Sequence, residues 1–410
     1  MSEDTSRAAY VRRLSAWLWP EPARVTIGRE RTPGRPLAEY LLIPNAARPQ
    51  LMVPAARRAA AAAVTGFNAE RSPRAAALSR VLRTALRTGA AHPLLRDRLR
   101  VHGDAESAES PASPVTIETH LSAALGHPVL LALHIGPARA NRKPVAQLLT
   151  PDGRTIGFTK IGVNELTGAL VRAEARALEL VGRARTTAMT VPAVREAGRW
   201  NGLELLTLDA LPVWRERAPV TQERLLAVMR EIADLAGVET APLASSPYWK
   251  DLRAAAAGLG DEPRAAQVRR ALDLIGADQE LSFGSWHGDF ALWNLAVLPD
   301  TVLVWDWERF TTGVPRGYDA LHYHFQDATA TRGRPPAEAV RDTLDAAPGL
   351  LRPFGLEAPA AELTGLLYLC DIAVRYLRDR QDEAGAAAGR VEEWLLPELL
   401  GRIETKDQRW

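Results

Sequence analysis

The stretch Ser285–Glu308, SWHGDFALWNLAVLPDTVLVWDWE, decides the fold that we expect. It carries Asp289, then Asn294 five residues later, then the apolar run 301–305, which ends at Asp306. Because a short apolar strand follows a polar loop, the pattern predicts a hairpin with three oxygen-bearing side chains at one edge. Such a set suits phosphoryl transfer, in which one carboxylate accepts the proton of an attacking hydroxyl while an amide and a second carboxylate hold magnesium.

Two short motifs in this stretch resemble those of a known family. His-Gly-Asp at 287–289 stands where protein kinases have His-Arg-Asp, and Asp-Trp-Glu at 306–308 stands where they have Asp-Phe-Gly. In this order, and with a strand between them, the motifs resemble the aminoglycoside phosphotransferase and choline kinase-like family of small-molecule kinases. The resemblance covers about residues 115–380. It implies an α+β, two-lobed protein kinase-like fold that uses ATP and Mg²⁺.

The resemblance also implies roles for individual residues. Asp289 is expected to be the catalytic base, and His287 is grouped with it as the residue that braces the loop. Asn294 and Asp306 are expected to bind magnesium. Asp319 matches an aspartate that supports the catalytic loop in the family.

A lysine and a glutamate are expected to position the phosphates of ATP. A predicted strand carries Lys160, and the helix after it carries Glu174. The resemblance implies that Lys160 reaches the α- and β-phosphates and that Glu174 holds it in place. The lysine stands out because 51 residues are Lys or Arg and only four of them are lysines. Glu165 and Glu179 on the same helix stay open as rival partners.

Two further parts of the nucleotide site are expected to use the backbone. The loop IGPARANRKPV has one glycine and lacks the Gly-x-Gly-x-x-Gly pattern of protein kinases. Either the amides near 136–141 or the side chains of Arg142 and Lys143 would cover the phosphates. The later segment LELLTLDALP resembles the one that joins the two lobes, so backbone groups at Leu206 and Leu208 would hydrogen-bond adenine. ATP is the expected nucleotide, and GTP stays open.

The composition along the chain predicts three regions. The small, polar, proline-punctuated segment GDAESAESPASP at 103–114 is typical of a linker. We expect an N-terminal α/β extension of unknown role at 1–112 and a kinase-like N-lobe with an antiparallel sheet at 113–209. A mainly helical C-lobe would follow at 210–410, with the catalytic loop and the acceptor site.

The composition excludes several classes of protein. The 410 residues are 47% apolar and 24% charged, which is typical of a soluble globular protein. A net charge of only +2 argues against nucleic acid or anionic membrane as a partner. The single Cys370 excludes an intrachain disulfide, and His322 and His324, two apart on a predicted helix, face different ways, which disfavours a metal site. With neither a signal-peptide core nor a membrane-spanning run, we expect a cytoplasmic protein.

The phosphate acceptor is expected to be a hydroxyl of a small molecule. Twelve residues separate Asp306 from Asp319, too few for the long segment with which protein kinases dock polypeptides. A sugar, an amino alcohol or a related metabolite is the favoured acceptor. A catalytically silent module that binds a nucleotide or a partner is one alternative, against which the complete Asp, Asn, Asp and Lys set argues. An antibiotic-resistance kinase acting on an aminoglycoside is another, although the C-terminal half has no dense acidic cluster for a polycation. The oligomeric state is left open.

Overall fold

The computed structural model describes residues 3–30, 36–66, 73–103, 115–136, 143–379 and 390–407. The chain divides into two compact units. The first comprises Met1–Ala138, Arg142–Ala175 and Pro192–Val213. The second comprises Arg139–Asn141, Arg176–Val191 and Trp214–Trp410.

A large antiparallel sheet dominates the first unit. Within the described residues it has nine strands, and every neighbouring pair is antiparallel. In spatial order the strands are β1 (Arg24–Gly28), β4 (Arg98–His102), β2 (Ala38–Ile43), β3 (Leu51–Pro54), β5 (Leu130–His134), β6 (Val145–Leu149), β7 (Thr155–Gly162), β10 (Leu203–Asp209) and β9 (Val194–Trp200).

Helices cover both faces of this sheet. The helices of this part of the chain are α1 (Glu3–Leu18), α2 (Arg57–Gly66), α3 (Pro73–Thr88), α4 (Ile117–Leu125) and α5 (Glu165–Arg183). Because successive side chains of a strand point to opposite faces, Tyr40 and Leu42 of β2 join a core with α1 and α4. Leu41 between them joins a second core with α2 and α3. A strand that is buried on both faces reads as a continuous apolar run, as the last four residues of β2, 40–43, do.

The predicted N-terminal extension shares this sheet. β3 pairs with β5, with Leu51 opposite His134, so the strands before residue 103 continue the sheet of the strands after residue 129. The expected boundary at residue 112 therefore does not separate two sheets or two cores, because the edge of β5 is paired by a strand from the N-terminal region. Of the predicted linker at 103–114, residues 104–114 lie outside the described residues. No role of its own is assigned to the extension at residues 1–112.

The second unit is mainly helical. Its helices are α6 (Gln222–Asp234), α7 (Pro247–Ala257), α8 (Pro263–Leu274), α9 (Tyr318–Gln326), α10 (Pro336–Leu351), α11 (Ala358–Arg378), α12 (Val391–Trp394) and α13 (Leu396–Asp407). One small sheet contains, in order, β11 (Glu239–Pro242), β12 (Glu280–Trp286) and β15 (Thr311–Pro315). The other contains β13 (Leu295–Val297), β14 (Val302–Val304) and β8 (Met189–Thr190).

Local sequence signals explain where some of these helices begin. The Ser246 side chain accepts a hydrogen bond from the backbone N–H of Trp249, and Pro247 occupies the first turn of α7. The sheet of the first unit and the helices of the second confirm the predicted α+β class. Among the described residues, no helix combines the length and the hydropathy that a bilayer crossing requires.

Candidate active site

The hairpin predicted from the opening stretch is formed by β13 and β14. The two strands are antiparallel, with Leu295 opposite Val304. The backbone N–H of Trp305 donates to the carbonyl oxygen of Asn294 at 3.0 Å, which closes the open end of the hairpin. Asp306 follows directly, so the fold brings Asn294 and the start of the Asp-Trp-Glu motif to the same edge, as the sequence predicts.

Asn294 holds Asp289. Its Nδ2 donates to Oδ2 of Asp289 at 2.8 Å and to the backbone carbonyl oxygen of Asp289 at 2.9 Å. Because both partners are acceptors, the nitrogen of the amide must be the atom that faces them, and Oδ1 is left for another ligand. Asn294 is buried, whereas the side chain of Asp289 is 33% exposed. The carboxylate is therefore fixed in orientation and still open to a substrate.

His287 braces this loop and is fully buried. Its Nδ1 accepts the backbone N–H of Asp289 at 3.2 Å, and its Nε2 lies 3.1 Å from the carbonyl oxygen of Trp305, to which it must donate. Burial lowers the pKa of His287 to about 4, although the nearby Asp289 and Asp306 raise it. The ring is thus neutral with both nitrogens engaged, an arrangement that suits support of the loop.

Gly288 allows the loop at 287–289 to approach the segment after Asp306. Its φ is +83°, in the left-handed region, and a Cβ atom there would lie 2.3 Å from the carbonyl oxygen of Arg309. Arg309 is itself held by Asp379, with the two charged groups 2.5 Å apart. The close approach explains why glycine stands between His287 and Asp289, where protein kinases have arginine.

Asp319 and Arg375 clamp the same loop from two helices. The carboxylate of Asp319 accepts the backbone N–H groups of His287 at 2.7 Å and Gly288 at 3.2 Å, which confirms its predicted supporting role. Burial raises the pKa of Asp319 to about 7, against the effect of these two hydrogen bonds and of Arg375. Arg375 donates to the carbonyl oxygen of Gly288 at 2.6 Å, and its guanidinium lies 4.6 Å from the ring centre of Trp286.

Asp306 has an unusual backbone conformation. Its φ is +69° and its ψ is 55°, a left-handed conformation that aspartate adopts more readily than most residues. Asp306 directly precedes the 3₁₀ helix Trp307–Arg309. The ring of Trp307 is buried, and its centre lies 4.7 Å from the centre of the His287 ring. The indole Nε1 of Trp307 donates to the carbonyl oxygen of Val304. The buried tryptophan thus fixes the turn that presents Asp306.

The lysine and the glutamate of the first unit are paired as predicted. Nζ of Lys160 on β7 lies 2.6 Å from both carboxylate oxygens of Glu174 on α5. Glu174 is fully buried and Lys160 is nearly so. The rival Glu179 is paired with Arg183, and Glu165 is exposed at the start of the helix.

The two residues expected to bind adenine lie inside the sheet. Leu206 and Leu208 of β10 stand opposite Lys160 and Phe158 of β7, and β10 is flanked on its other side by β9. The ladder therefore occupies the backbone groups of Leu206 and Leu208, and an adenine base could use them only by displacing a strand. Of the predicted phosphate-covering segment, residues 137–142, which include Arg142, lie outside the described residues.

His322 is a residue of the site that sequence reasoning missed. Its Nε2 lies 3.3 Å from Oδ1 of Asp289, and its Nδ1 lies 3.0 Å from the hydroxyl of Tyr368 on α11. The spacing from His324 correctly placed the two histidines on different helix faces. No signal in the sequence, however, showed that one of these faces lies against the loop that carries Asp289.

The residues at the hairpin edge fit a hard divalent cation. Carboxylate and amide oxygens are the protein ligands that Mg²⁺ prefers. Asn294 has its nitrogen turned to Asp289, which leaves Oδ1 as the amide atom able to bind a cation, and Asp306 supplies a carboxylate at the same edge. The donor chemistry therefore agrees with the predicted magnesium ligands.

No protein-family model matches the chain, and no curated protein matches it. Among solved structures, a thermostable mutant of aminoglycoside phosphotransferase APH(4)-Ia with ADP and hygromycin B matches at 17% identity and a TM-score of 0.44, over 69% of this chain and 99% of that one. Spectinomycin phosphotransferase APH(9)-Ia, with ADP and spectinomycin, matches at 10% identity and a TM-score of 0.40, over 70% and 93% of the two chains. A choline/ethanolamine kinase family protein from Mesorhizobium loti matches at 15% identity and a TM-score of 0.34, over 66% and 87%. These are the kinds of protein that the sequence resemblance named.

Proposed function

We propose that the protein transfers the γ-phosphoryl group of ATP to a hydroxyl of a small molecule. The observation that carries the proposal is the arrangement of Asp289, Asn294 and Asp306 at the edge of one hairpin. Asp289 would orient the acceptor hydroxyl and take its proton, because its carboxylate is fixed and still accessible. Asn294 would have two functions, since its amide nitrogen holds Asp289 and its oxygen would be available to bind a cation.

The remaining residues would bind and orient the nucleotide. Asn294 and Asp306 would hold Mg²⁺, which supplies positive charge against the phosphate oxygens when it is bound. Lys160 would contact the phosphates as a compact point charge, kept in place by Glu174. The adenine ring would contact the chain just after β10 ends, near residues 210–211, since the backbone groups of Leu206 and Leu208 are used by the sheet.

The chain between Asp306 and Asp319 favours a small acceptor. Its twelve residues form the turn Trp307–Arg309 and then β15, which pairs with β12. Only Phe310, Arg316 and Gly317 lie between these elements and α9, so residues 307–318 contain no loop long enough to dock a polypeptide. A sugar, an amino alcohol or a related metabolite is the class of acceptor that we propose.

The nucleotide site can be tested before the acceptor is known. We expect Mg·ATP to raise the melting temperature of the protein, since a ligand at about a hundred times its Kd adds ~2.7 kcal/mol of stability, enough for a shift of several degrees. A parallel sample with Mg·GTP tests whether the site prefers adenine or guanine. The shift should require Mg²⁺ and should disappear in Asp306→Ala.

Two results would contradict the proposal in different ways. A wild-type protein that shifts with neither nucleotide would remove the basis for a kinase. A magnesium-dependent shift with no phosphoryl transfer to any acceptor, in a broad screen of hydroxylated compounds, would favour the silent nucleotide-binding module.

A further inference from the structure

A chain of three side chains runs from α11 through α9 to the loop of the proposed catalytic base. The hydroxyl of Tyr368 lies 3.0 Å from Nδ1 of His322, and Nε2 of His322 lies 3.3 Å from Oδ1 of Asp289. Tyr368 and His322 are both buried, whereas Asp289, the last of the three side chains, is partly open to solvent.

The chemistry of the three groups sets the direction of both hydrogen bonds. A carboxylate can only accept, so Nε2 of His322 carries the proton and donates to Asp289. Nδ1 then has a lone pair and accepts the hydroxyl proton of Tyr368. Burial supports this arrangement, since it lowers the pKa of His322 and raises the pKa of Tyr368 well above its usual range. Both groups are therefore neutral near pH 7.

The surroundings of His322 hold this tautomer in place. The Trp286 ring lies nearly perpendicular to the imidazole with the ring centres 6.2 Å apart, and the ring centre of Tyr368 lies 6.1 Å from that of the imidazole. Arg375 also faces this region and opposes a positive charge on the imidazole, while Asp289 favours one. Burial outweighs the attraction to Asp289, so the imidazole acts as a fixed dipole.

The two carboxylate oxygens of Asp289 are consequently anchored by different parts of the chain. Asn294, from the loop itself, donates to Oδ2 at 2.8 Å, and His322, from α9, donates to Oδ1 at 3.3 Å. Two donors on opposite oxygens prevent rotation of the carboxylate about its terminal torsion. A catalytic group needs this support because small errors in its orientation reduce the rate steeply.

We propose that Tyr368 and His322 form a relay of hydrogen bonds that positions Asp289 for proton abstraction from the acceptor hydroxyl. The inference rests on the proposed function, in which Asp289 is the base. His322 touches neither the acceptor nor the nucleotide in this role. It acts through Asp289, so it is a positioning residue.

Four variants separate this role from ordinary core packing. His322→Leu removes the donor to Asp289, and His322→Gln keeps an N–H that can reach the same oxygen. Tyr368→Phe removes only the far hydroxyl. His324→Leu is the matched control, because His324 is on the same helix and bonds to Thr343.

The kinetic readout is phosphate release from Mg·ATP, measured with water and with the best hydroxylated acceptor found. We expect His322→Leu to lower kcat at least tenfold with the KM for ATP unchanged, and His322→Gln to restore part of that loss. Tyr368→Phe should have a smaller effect on kcat, and His324→Leu should leave kcat at the wild-type level. Equal kcat values for His322→Leu and the wild type, or equal losses in His322→Leu and His324→Leu, would overturn the proposal.

A second readout does not depend on activity. ¹⁵N NMR of histidine-labelled protein should show His322 with Nε2 protonated and Nδ1 accepting a hydrogen bond, and Tyr368→Phe should shift the Nδ1 resonance. The opposite tautomer, or an Nδ1 resonance insensitive to Tyr368→Phe, would overturn the relay. If the wild type transfers phosphate to no acceptor, the proposed function fails, and the NMR result still decides whether the relay exists.

Discussion

Two carboxylates with proposed roles in phosphoryl transfer are held in opposite ways. Glu174, in the first unit, is fully buried and carries the ammonium of Lys160 at 2.6 Å from both of its oxygens. Asp289, in the second unit, is one-third exposed and is held by two uncharged donors, Asn294 and His322. The charge of Glu174 is balanced by an ammonium group, whereas Asp289 is held in orientation by hydrogen bonds from uncharged groups.

The difference follows from what each carboxylate has to do. A buried ion needs an opposite charge, since its desolvation costs several kcal/mol that only a close partner offsets. A base needs a fixed direction without a paired cation, because a paired cation would stabilise the carboxylate and weaken its affinity for the proton that it must accept. Uncharged donors supply the direction and leave the charge of Asp289 uncancelled.

The largest expected effect comes from removing the proton-accepting oxygen. Asp289→Asn keeps the size of the side chain but cannot take a proton, so we expect turnover to fall by a factor of roughly 10²–10⁴, as is typical for the loss of a general base. The melting shift with Mg·ATP should stay close to that of the wild type. Phosphate-release kinetics and thermal melts on the same sample measure both quantities. Loss of the nucleotide shift together with turnover would contradict the assignment of Asp289 as the base.

Breaking the buried ion pair of Lys160 and Glu174 should lower the free energy of unfolding. Lys160→Met takes the ammonium away from the fully buried Glu174, and breaking a buried pair in this way costs about 3–5 kcal/mol. The double variant Lys160→Met with Glu174→Leu should recover most of that loss in urea unfolding, because no buried charge is left. Neither variant should bind nucleotide as tightly as the wild type.

The exposed pair of Arg183 and Glu179, on the same helix as Glu174, provides the control for that experiment. Both side chains are mostly in solvent, so Arg183→Met should change the free energy of unfolding by less than about 1 kcal/mol. A loss in Lys160→Met no larger than that of Arg183→Met would show that the Lys160 pair is not buried as described.

The sequence predicted those parts of the site that depend on short-range order. Asp289, Asn294 and Asp306 lie within eighteen residues of one another, so the loop, the hairpin and the final aspartate could be placed from the pattern alone. The pairing of Lys160 with Glu174 was implied by the family resemblance, with Glu165 and Glu179 as rivals, and the strand and the helix that carry the pair follow one another in the chain. Leu206 and Leu208 were placed on the correct strand, but a sequence does not show that both edges of that strand are covered.

Supports from distant segments could not be predicted. Arg375 lies 87 positions from the carbonyl group of Gly288 that it binds, and Tyr368 lies 46 positions from His322. The nearest acidic residue before Arg375 on its helix is Asp371, four positions earlier, yet those charged groups are 4.0 Å apart and the shorter bond of Arg375 goes to the loop. Likewise, nothing in the composition of residues 1–102 indicated that their strands would extend the sheet of the first unit.

His287 and Asp319, which are both buried, should make stability depend on pH, because the pKa of each group differs between the folded and unfolded states. The folded pKa of His287, about 4, lies below its usual 6.5, so the unfolded state binds more protons between these values and stability rises with pH there. The folded pKa of Asp319, about 7, lies above its usual 3.8, so the folded state binds more protons and stability falls as pH rises through this window. The two slopes oppose each other between about pH 4 and 6.5, and each amounts to roughly 1.4 kcal/mol per pH unit.

Single variants should therefore expose slopes that the wild type hides. In Asp319→Asn the contribution of His287 is left, and the free energy of unfolding should increase from about pH 4 to 6.5. In His287→Gln the contribution of Asp319 is left, and the free energy should decrease from about pH 4 to 7. Urea unfolding at half-unit pH steps measures the slope of each variant as a difference from the wild-type profile, which also contains the contribution of His322. Parallel profiles for the two variants would mean that the loop is not held by one neutral imidazole and one buried carboxyl, and the support proposed for Asp289 would have to come from elsewhere.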